Sequence, residues 1–405
     1  MLIVLLPDKF SKFVDYKYQI KYLKKNLNTK VEVHDLFSVV NKNWESYFPG
    51  KRYGKVKVFH KLNDWKQYFR NKIKNDRKLI VINLLELDSF KSLLIYYELY
   101  KSKVKVALFK SPEVCIEPRA YNAKFYQKFL KGFELLFSNF NRLKRFIKSK
   151  IIFKIGSFFT FDELIIFYSG NKNNILPYTD AKKFSFVSIH SSDYSNHLLL
   201  NSNKKKNPRQ NYIVFLDGTT PYFTGDLQIF GYKINYNEKL WYEDLNNFLK
   251  LIEKEFKSKI IIIPHPRVRH LKNPNYLKRF KIRKDLEASA KLILNSKFVI
   301  SATASTAVSY CVINNKPFNI IFNNQVIKKN QTMWKDMKYM SKVLKTGLIN
   351  INNGFDKKKF STTIDKKIYD KYKYDYLTSK KISEKMNHEI INDILLKEDQ
   401  KTFLR

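Results

Sequence analysis

Short apolar, β-branched runs alternate with stretches of helical period along most of the chain. In the first half the runs are LIVLL (2–6), VKVFH (56–60), KLIVINLL (78–85), KVKVALF (103–109) and FSFVSIH (184–190). Between them, YKYQIKYLKKN (16–26), SFKSLLIYYELYKS (89–102) and YNAKFYQKFLKGFELLF (121–137) carry apolar residues at helical spacing. Asp88 is placed to cap the second of these. Repeated strand and helix in alternation predict a mainly parallel, doubly wound sheet.

The pattern breaks at NSNKKKNPRQN (201–211), which is polar, contains Pro208 and has no apolar period. It reads as a linker. The alternation then restarts with YIVFL (212–216), a helix over 240–256, KIIIIP (259–264), a helix over 284–294, KFVISA (297–302), a helix over 305–315 and PFNIIF (317–322). Residues 369–397 read as one or two closing helices. The expected organisation is a first Rossmann-like domain over 1–200, a linker over 201–211, a second Rossmann-like domain over 212–365 and a helical tail over 366–405. Two such halves and a tail resemble the GT-B architecture of glycosyltransferases, an α/β fold whose two parallel sheets face each other across a cleft.

Charge narrows the partners. The chain has 77 Lys and Arg against 36 Asp and Glu, a formal net charge of +41, which favours anionic partners. An A/T-rich codon bias toward Lys, Asn, Ile, Tyr and Phe is the bland alternative for many individual lysines. Cys115 and Cys311 lie far apart, with no metal-ligand spacing, and fit a reducing cytoplasm. The opening MLIVLLPDKF is too short in its apolar run for a signal peptide or a membrane span. Membrane contact is therefore expected to be peripheral, at the inner membrane.

Two strand ends carry the chemistry. In IIIPHPRVRH, His265 stands between Pro264 and Pro266, just past a buried strand, and Arg267 follows. The prolines fix the backbone direction and remove donors, giving the imidazole a rigid mount. A histidine and a guanidinium there suit a phosphate. A strand-end turn with a helix-capping histidine is the plain alternative. One strand later, SATASTA (301–307) supplies Ser301, Thr303, Ser305 and Thr306 as a helix opens. Small side chains, hydroxyls and first-turn N–H groups admit an anion. An ordinary Ser/Thr cap is the plain alternative.

The pairing of His265-Pro266 with the Ser305-Thr306 run resembles the HP and S/T motifs of bacterial GT-B sialyltransferases and polysialyltransferases, and of related β-Kdo transferases. That resemblance implies that His265 contacts a CMP-sugar donor and assists phosphate departure, and that the hydroxyl run binds the donor phosphate. FVDYKYQIKYLKKN, VEVHDL, IVFLD, HPR and STA also resemble a wider group of bacterial surface-polysaccharide biosynthesis proteins, over most of residues 1–325.

Direct displacement with inversion needs a carboxylate base. The sialyltransferases that the chain resembles use a paired acidic motif or a nearby aspartate, and this sequence lacks the pair. Two single acids remain: Asp217 in LDG (216–218), beside Gly218, and Asp193 in IHSSDYS (189–195), beside His190. Turn and helix-cap roles are their alternatives. Asp15 and Tyr16 follow the first strand, where a helix cap is the simpler reading.

The P-loop, dinucleotide-binding, metal-binding D-x-D and G-x-S-x-G patterns are absent from strand ends. No metal or cofactor is expected, because histidine, arginine and helix N-termini can neutralise a leaving phosphate. The expectation is an inverting glycosyltransferase with a CMP-activated nonulosonic acid as donor and an anionic glycan or glycolipid as acceptor. A Kdo or UDP-sugar donor is the alternative, with Glu287 as the nearest ribose partner for UDP. A non-catalytic polyanion-binding protein is a third reading, without nucleic-acid motifs to support it.

Overall fold

The computed structural model describes residues 1–27, 29–41, 51–76, 78–110, 115, 140–172, 179–201, 211–218, 221, 234–265, 275–285, 287–382 and 384–403, with backbone alone for 140–146, 201 and 396–403. Residues 121–137, expected to be helical, and most of the linker lie outside the described residues.

The first sheet holds β1 (Leu2–Leu6), β2 (Val31–Asp35), β3 (Lys57–Val58), β4 (Ile80–Asn83), β5 (Lys105–Lys110), β6 (Thr160–Tyr168) and β7 (Asp180–Ser188). Their order is β3-β2-β1-β4-β5-β6-β7. Every neighbouring pair is parallel. The second sheet holds β8 (Tyr212–Asp217), β9 (Lys259–Pro264), β10 (Lys281–Ile282), β11 (Val299–Ser301), β12 (Phe318–Phe322) and β13 (Gly347–Asn350), ordered β10-β9-β8-β11-β12-β13 and again parallel. This is the GT-B fold: two Rossmann-like domains with helices packed on their sheets.

In both sheets the strand order reverses beside the first strand. β1 pairs with β2 and β4, and β8 pairs with β9 and β11. Open parallel sheets bind ligands at such switch points, beyond the carboxyl ends of the strands.

Alternation along β1 shows how the first core is built. Leu2, Val4 and Leu6 face one layer, with Val14, Ile20, Leu23, Ile391 and Leu395. Ile3 and Leu5 face the other, with Trp65, Phe69, Leu93 and Ile152. All of β1 is buried, as expected for a strand covered on both faces. In the second domain, helix Glu238–Phe256 buries Trp241, Leu245, Phe248, Leu249, Ile252 and Phe256, the stripe that its spacing predicts. Asn237 caps it by accepting from the Leu240 N–H at 3.1 Å, and Lys257 ends it in the left-handed region at φ 46°.

Several elements differ from the sequence reading. The helix expected over 16–26 is two helices, Lys12–Tyr18 and Ile20–Asn26. Gln19 breaks them with φ 53°, and Asp15 bridges the break by accepting from the Lys21 N–H at 2.7 Å. Burial raises the Asp15 carboxyl, partly offset by that bond and by Lys21 and Lys24. Ser89, not Asp88, caps helix Phe90–Lys101, exchanging bonds with Ser92 in a capping box. The helix expected over 305–315 is a single 3₁₀ turn, Thr306–Val308, followed by helix Ser309–Ile313.

The C-terminal segment belongs to both cores. Helix Lys366–Tyr372 buries Tyr369 and Tyr372 in the second core. A π-helical turn, Lys373–Leu377, follows. Helix Asn387–Phe403 then packs on the first sheet through Ile391 and Leu395.

Candidate active site

Register brings the second domain's candidate residues together. Asp217 pairs with Pro264 across β8 and β9, so His265 lies one residue beyond that pair. On the other side of β8, Leu216 pairs with Ser301, and the Ala302 N–H donates to the Leu216 carbonyl at 3.1 Å. Asp217–Gly218 therefore sits between His265 and the hydroxyl turn, at the switch point. Pro266 and Arg267 lie outside the described residues.

The hydroxyl turn is folded by its own side chains. Ser301 is fully buried and donates to the Thr303 carbonyl at 2.7 Å. Ser305 accepts from the Ala307 N–H at 3.2 Å and so caps the 3₁₀ turn. Thr303, Ser305 and Thr306 are only half-buried. Gly218 packs directly on Thr303: a Cβ at 218 would overlap the Thr303 methyl group. Only glycine lets the end of β8 come this close to the turn. Asp217 itself is buried, at 4% exposure, whereas His265 is half-buried.

Across from the turn, the first domain holds a cavity of about 330 Å³. Asn83 lines it from the end of β4, Leu85 from just beyond it, and Lys110 from the end of β5. Lys17 and Tyr18 close it from the first helix, Gln19 from the break after that helix, and His190 and Ser192 from beyond β7. Thr306 of the second domain also lines it. The hydroxyl turn and the first-domain cavity thus share one cleft.

Asp193 stands at the junction between the domains. It is in the first turn of helix Ser192–Asn201 and half-buried. The fully buried Tyr310 of the second domain interacts with the Asp193 carboxylate and with the Tyr16 phenol of the first helix. Burial first, then the Asp193 charge, pushes the Tyr310 hydroxyl well above the ordinary phenol range. Tyr310 therefore stays protonated and can donate to Asp193.

His190 is turned toward the C-terminal segment. Nδ1 lies 2.7 Å from Thr378 Oγ1 and Nε2 lies 3.0 Å from the Lys385 carbonyl. A carbonyl only accepts, so Nε2 donates. The His190 backbone also exchanges two bonds with Asn387, at 2.9 and 2.8 Å.

Sequence reasoning missed Gln19, Tyr310 and Asn387. Gln19 is buried; its Nε2 donates to Ser195 Oγ at 2.9 Å and Asn196 Oδ1 at 3.1 Å, and its Oε1 accepts from His388 Nδ1 at 2.9 Å. A helix-breaking, left-handed glutamine beside Asp15 and Tyr16 has no sequence signature.

No family model and no curated protein matches the chain. Solved structures do. The chain is similar to the H548A variant of the wall teichoic acid polymerase TagF, with TM-score 0.51 at 11% identity over 99% of this chain and 90% of that chain. Another TagF structure aligns with TM-score 0.49 at 12% identity over 100% of this chain and 90% of that chain. The spinosyn forosaminyltransferase SpnP aligns with TM-score 0.44 at 9% identity over 98% of this chain and 93% of that chain. The likeness to the TagF H548A variant is one of fold: two Rossmann-like domains in the GT-B arrangement.

Proposed function

We propose that this chain is an inverting glycosyltransferase that moves a CMP-activated nonulosonic acid onto a bacterial surface glycan, such as capsule or lipooligosaccharide. One observation carries the reading: Asp217–Gly218, His265 and the Ser301–Thr306 turn converge on three adjacent strand ends, and Thr306 reaches the first-domain cavity.

In this reading the donor phosphate lies against the hydroxyl turn, and the acceptor occupies the cavity. Asp193 takes the proton from the acceptor hydroxyl as its oxygen attacks the anomeric carbon. The bond from that carbon to the phosphate oxygen breaks, and CMP departs. His265, the turn hydroxyls and Arg267 stabilise the charge that grows on the phosphate. A single displacement inverts the centre.

Asp193 fits the base better than Asp217. It follows cavity-lining Ser192 directly, whereas Asp217 is 4% exposed at the end of β8 and does not line the cavity. Asp217 then holds the donor turn in place. His190 holds the C-terminal segment at the cavity edge. The +41 charge suits an anionic donor and acceptor, and peripheral contact with an anionic inner membrane. A Kdo or UDP-sugar donor uses the same fold, but Glu287 forms a surface ion pair with Lys291, and that pairing gives no support to UDP.

The test is a thermal-shift panel of CMP, UDP, GDP and ADP on the wild type and on His265→Ala. Stabilisation selective for CMP and lost in the variant is expected. An equal response to all four nucleotides, or to none, rejects the donor assignment.

A further inference from the structure

Two neighbouring helices of the first domain expose apolar residues and lysines and, among their described residues, no acid; exposed Asp88 lies just before the first of them. On helix Phe90–Lys101 the exposed apolar residues are Phe90, Leu94, Tyr97 and Tyr100, and the exposed charges are Lys91 and Lys101. The helix has one acid, Glu98, which is buried and paired with Arg70. Helix Phe140–Gly156 contains no Asp or Glu. Its described part exposes Ile147, Ile151 and Ile155 one turn apart, with Lys148, Lys150 and Lys154 between them. Phe158, just past its end, is 67% exposed.

The two stripes adjoin. Lys148 Nζ lies 5.2 Å from the centre of the Phe90 ring, and Lys154 Nζ lies 5.3 Å from that of Phe158. In both cases the lysine stem runs beside the ring and leaves the ammonium at the surface. A protein partner or a second copy would need acids to meet Lys148 and Lys154 or would bury their charges uncompensated. Nucleic acid would meet the lysines but leave the isoleucines without a partner. A bilayer of anionic lipid meets both, because apolar side chains enter the acyl boundary while lysines stay among the headgroups. Among the described residues no helix is long and apolar enough to cross a membrane, so contact through these helices is from one side.

We propose that the exposed faces of helices Phe90–Lys101 and Phe140–Gly156 form a docking surface for an anionic lipid bilayer. This gives the membrane contact proposed above a location, and it rests on that reading only in taking a lipid-borne acceptor as the purpose. Helix Phe90–Lys101 connects surface and site: its outer face carries Leu94 and Tyr97, while Tyr96 on its inner face lines the cleft cavity. Docking there keeps a headgroup-linked acceptor within reach of the cavity.

The experiment is co-sedimentation of the whole chain with phosphatidylcholine vesicles, with and without phosphatidylglycerol. Binding is expected only with phosphatidylglycerol, and it weakens as salt rises. Leu94→Glu/Ile151→Glu should abolish it. Lys148→Gln/Lys154→Gln should weaken it by about fivefold per lysine, the factor for one basic contact at an anionic surface. All four positions are exposed, so native melting curves should be retained. No binding to phosphatidylglycerol vesicles, or binding unchanged in both variants, overturns the proposal. So does concentration-dependent self-association, or equal binding to duplex DNA, that the same substitutions remove. Nucleotide stabilisation, measured on these variants without vesicles, reads the cleft separately, so failure of either reading is distinguishable.

Discussion

Gly218 and Thr303 touch so closely that no side chain fits between them. Gly218→Ala should therefore push the hydroxyl turn away from the end of β8. Overpacking of this kind costs about 1–3 kcal/mol. The expected result is a modest fall in melting temperature and loss of the CMP-induced shift. Thr303→Ser removes the overlapping methyl group and should restore nucleotide stabilisation in the Gly218→Ala background. Failure of that rescue would show that the contact does not organise the site.

The two aspartates should separate kinetically. Asp193→Asn is expected to lower kcat by about 10²–10⁴, the usual range for a general base, with CMP stabilisation retained. Asp217→Asn should weaken CMP stabilisation instead. Steady-state rates with a competent acceptor, measured beside nucleotide melting curves, distinguish the two. Near-normal turnover in both variants would eliminate the mechanism.

The crossing between the domains can be read through a thiol. The Asn171 N–H donates to the Tyr374 carbonyl and the Lys172 N–H to the Asp375 carbonyl, both at 3.0 Å, and Ser169 Oγ donates to the Tyr376 carbonyl at 3.1 Å. Gly170 sits among them at φ 68°, and a Cβ there would overlap the Asp375 carbonyl. Gly170→Ala costs about 1–2 kcal/mol from the left-handed backbone alone. Cys115 is buried in the second core beside Tyr372, and burial pushes its thiol up to about 12. Native Cys115 should resist iodoacetamide at neutral pH, and Gly170→Ala should accelerate its labelling. Mass spectrometry of the alkylated peptide checks this; equal rates in the two proteins would count against a docked crossing.

A buried network under β2 sets an acid limit. The His34 Nε2 donates to Glu32 at 3.2 Å, the Tyr68 hydroxyl donates to the same carboxylate, and Trp65 Nε1 donates to His34 Nδ1 at 3.2 Å. The His34 bond is the largest cause of a Glu32 pKa depressed from 4.5 to about 2. A carboxyl depressed by folding stabilises the fold fully above 4.5, and that contribution drains away as pH falls toward about 2. Glu32→Gln should cost about 1–3 kcal/mol at neutral pH. It should also flatten the fall of melting temperature across that acid window. A parallel acid limb in wild type and variant would dissociate the network from acid stability.

Uniformly apolar strands were legible in the sequence. LIVLL and KIIIIP match β1 and β9 residue for residue, because both are covered on two faces. VEVHD and TFDELIIFY were not read as strands because charge interrupts them. Glu32 is accepted inside through its network, and Asp162 and Glu163 are met by Lys182 and Lys183 on β7. Those compensations come from residues distant in sequence. The convergence of Asp217–Gly218, His265 and the hydroxyl turn was legible because each lies at or just past the end of an apolar strand, and parallel register does the rest. The junction of Tyr310, Tyr16 and Asp193 was not, since it joins three helices from both domains.

The packing of helix Asn387–Phe403 on the first sheet has a consequence for synthesis. One face of that sheet includes Leu2, Val4 and Leu6, which are made some 380 residues before the Ile391 and Leu395 of the same layer. At ordinary elongation rates those residues follow tens of seconds later. The first domain therefore waits, with an open groove, for the whole second domain to be made. A ribosome-arrested chain ending before 387 should leave the β1 region open to protease, and protection should arrive only with helix Asn387–Phe403.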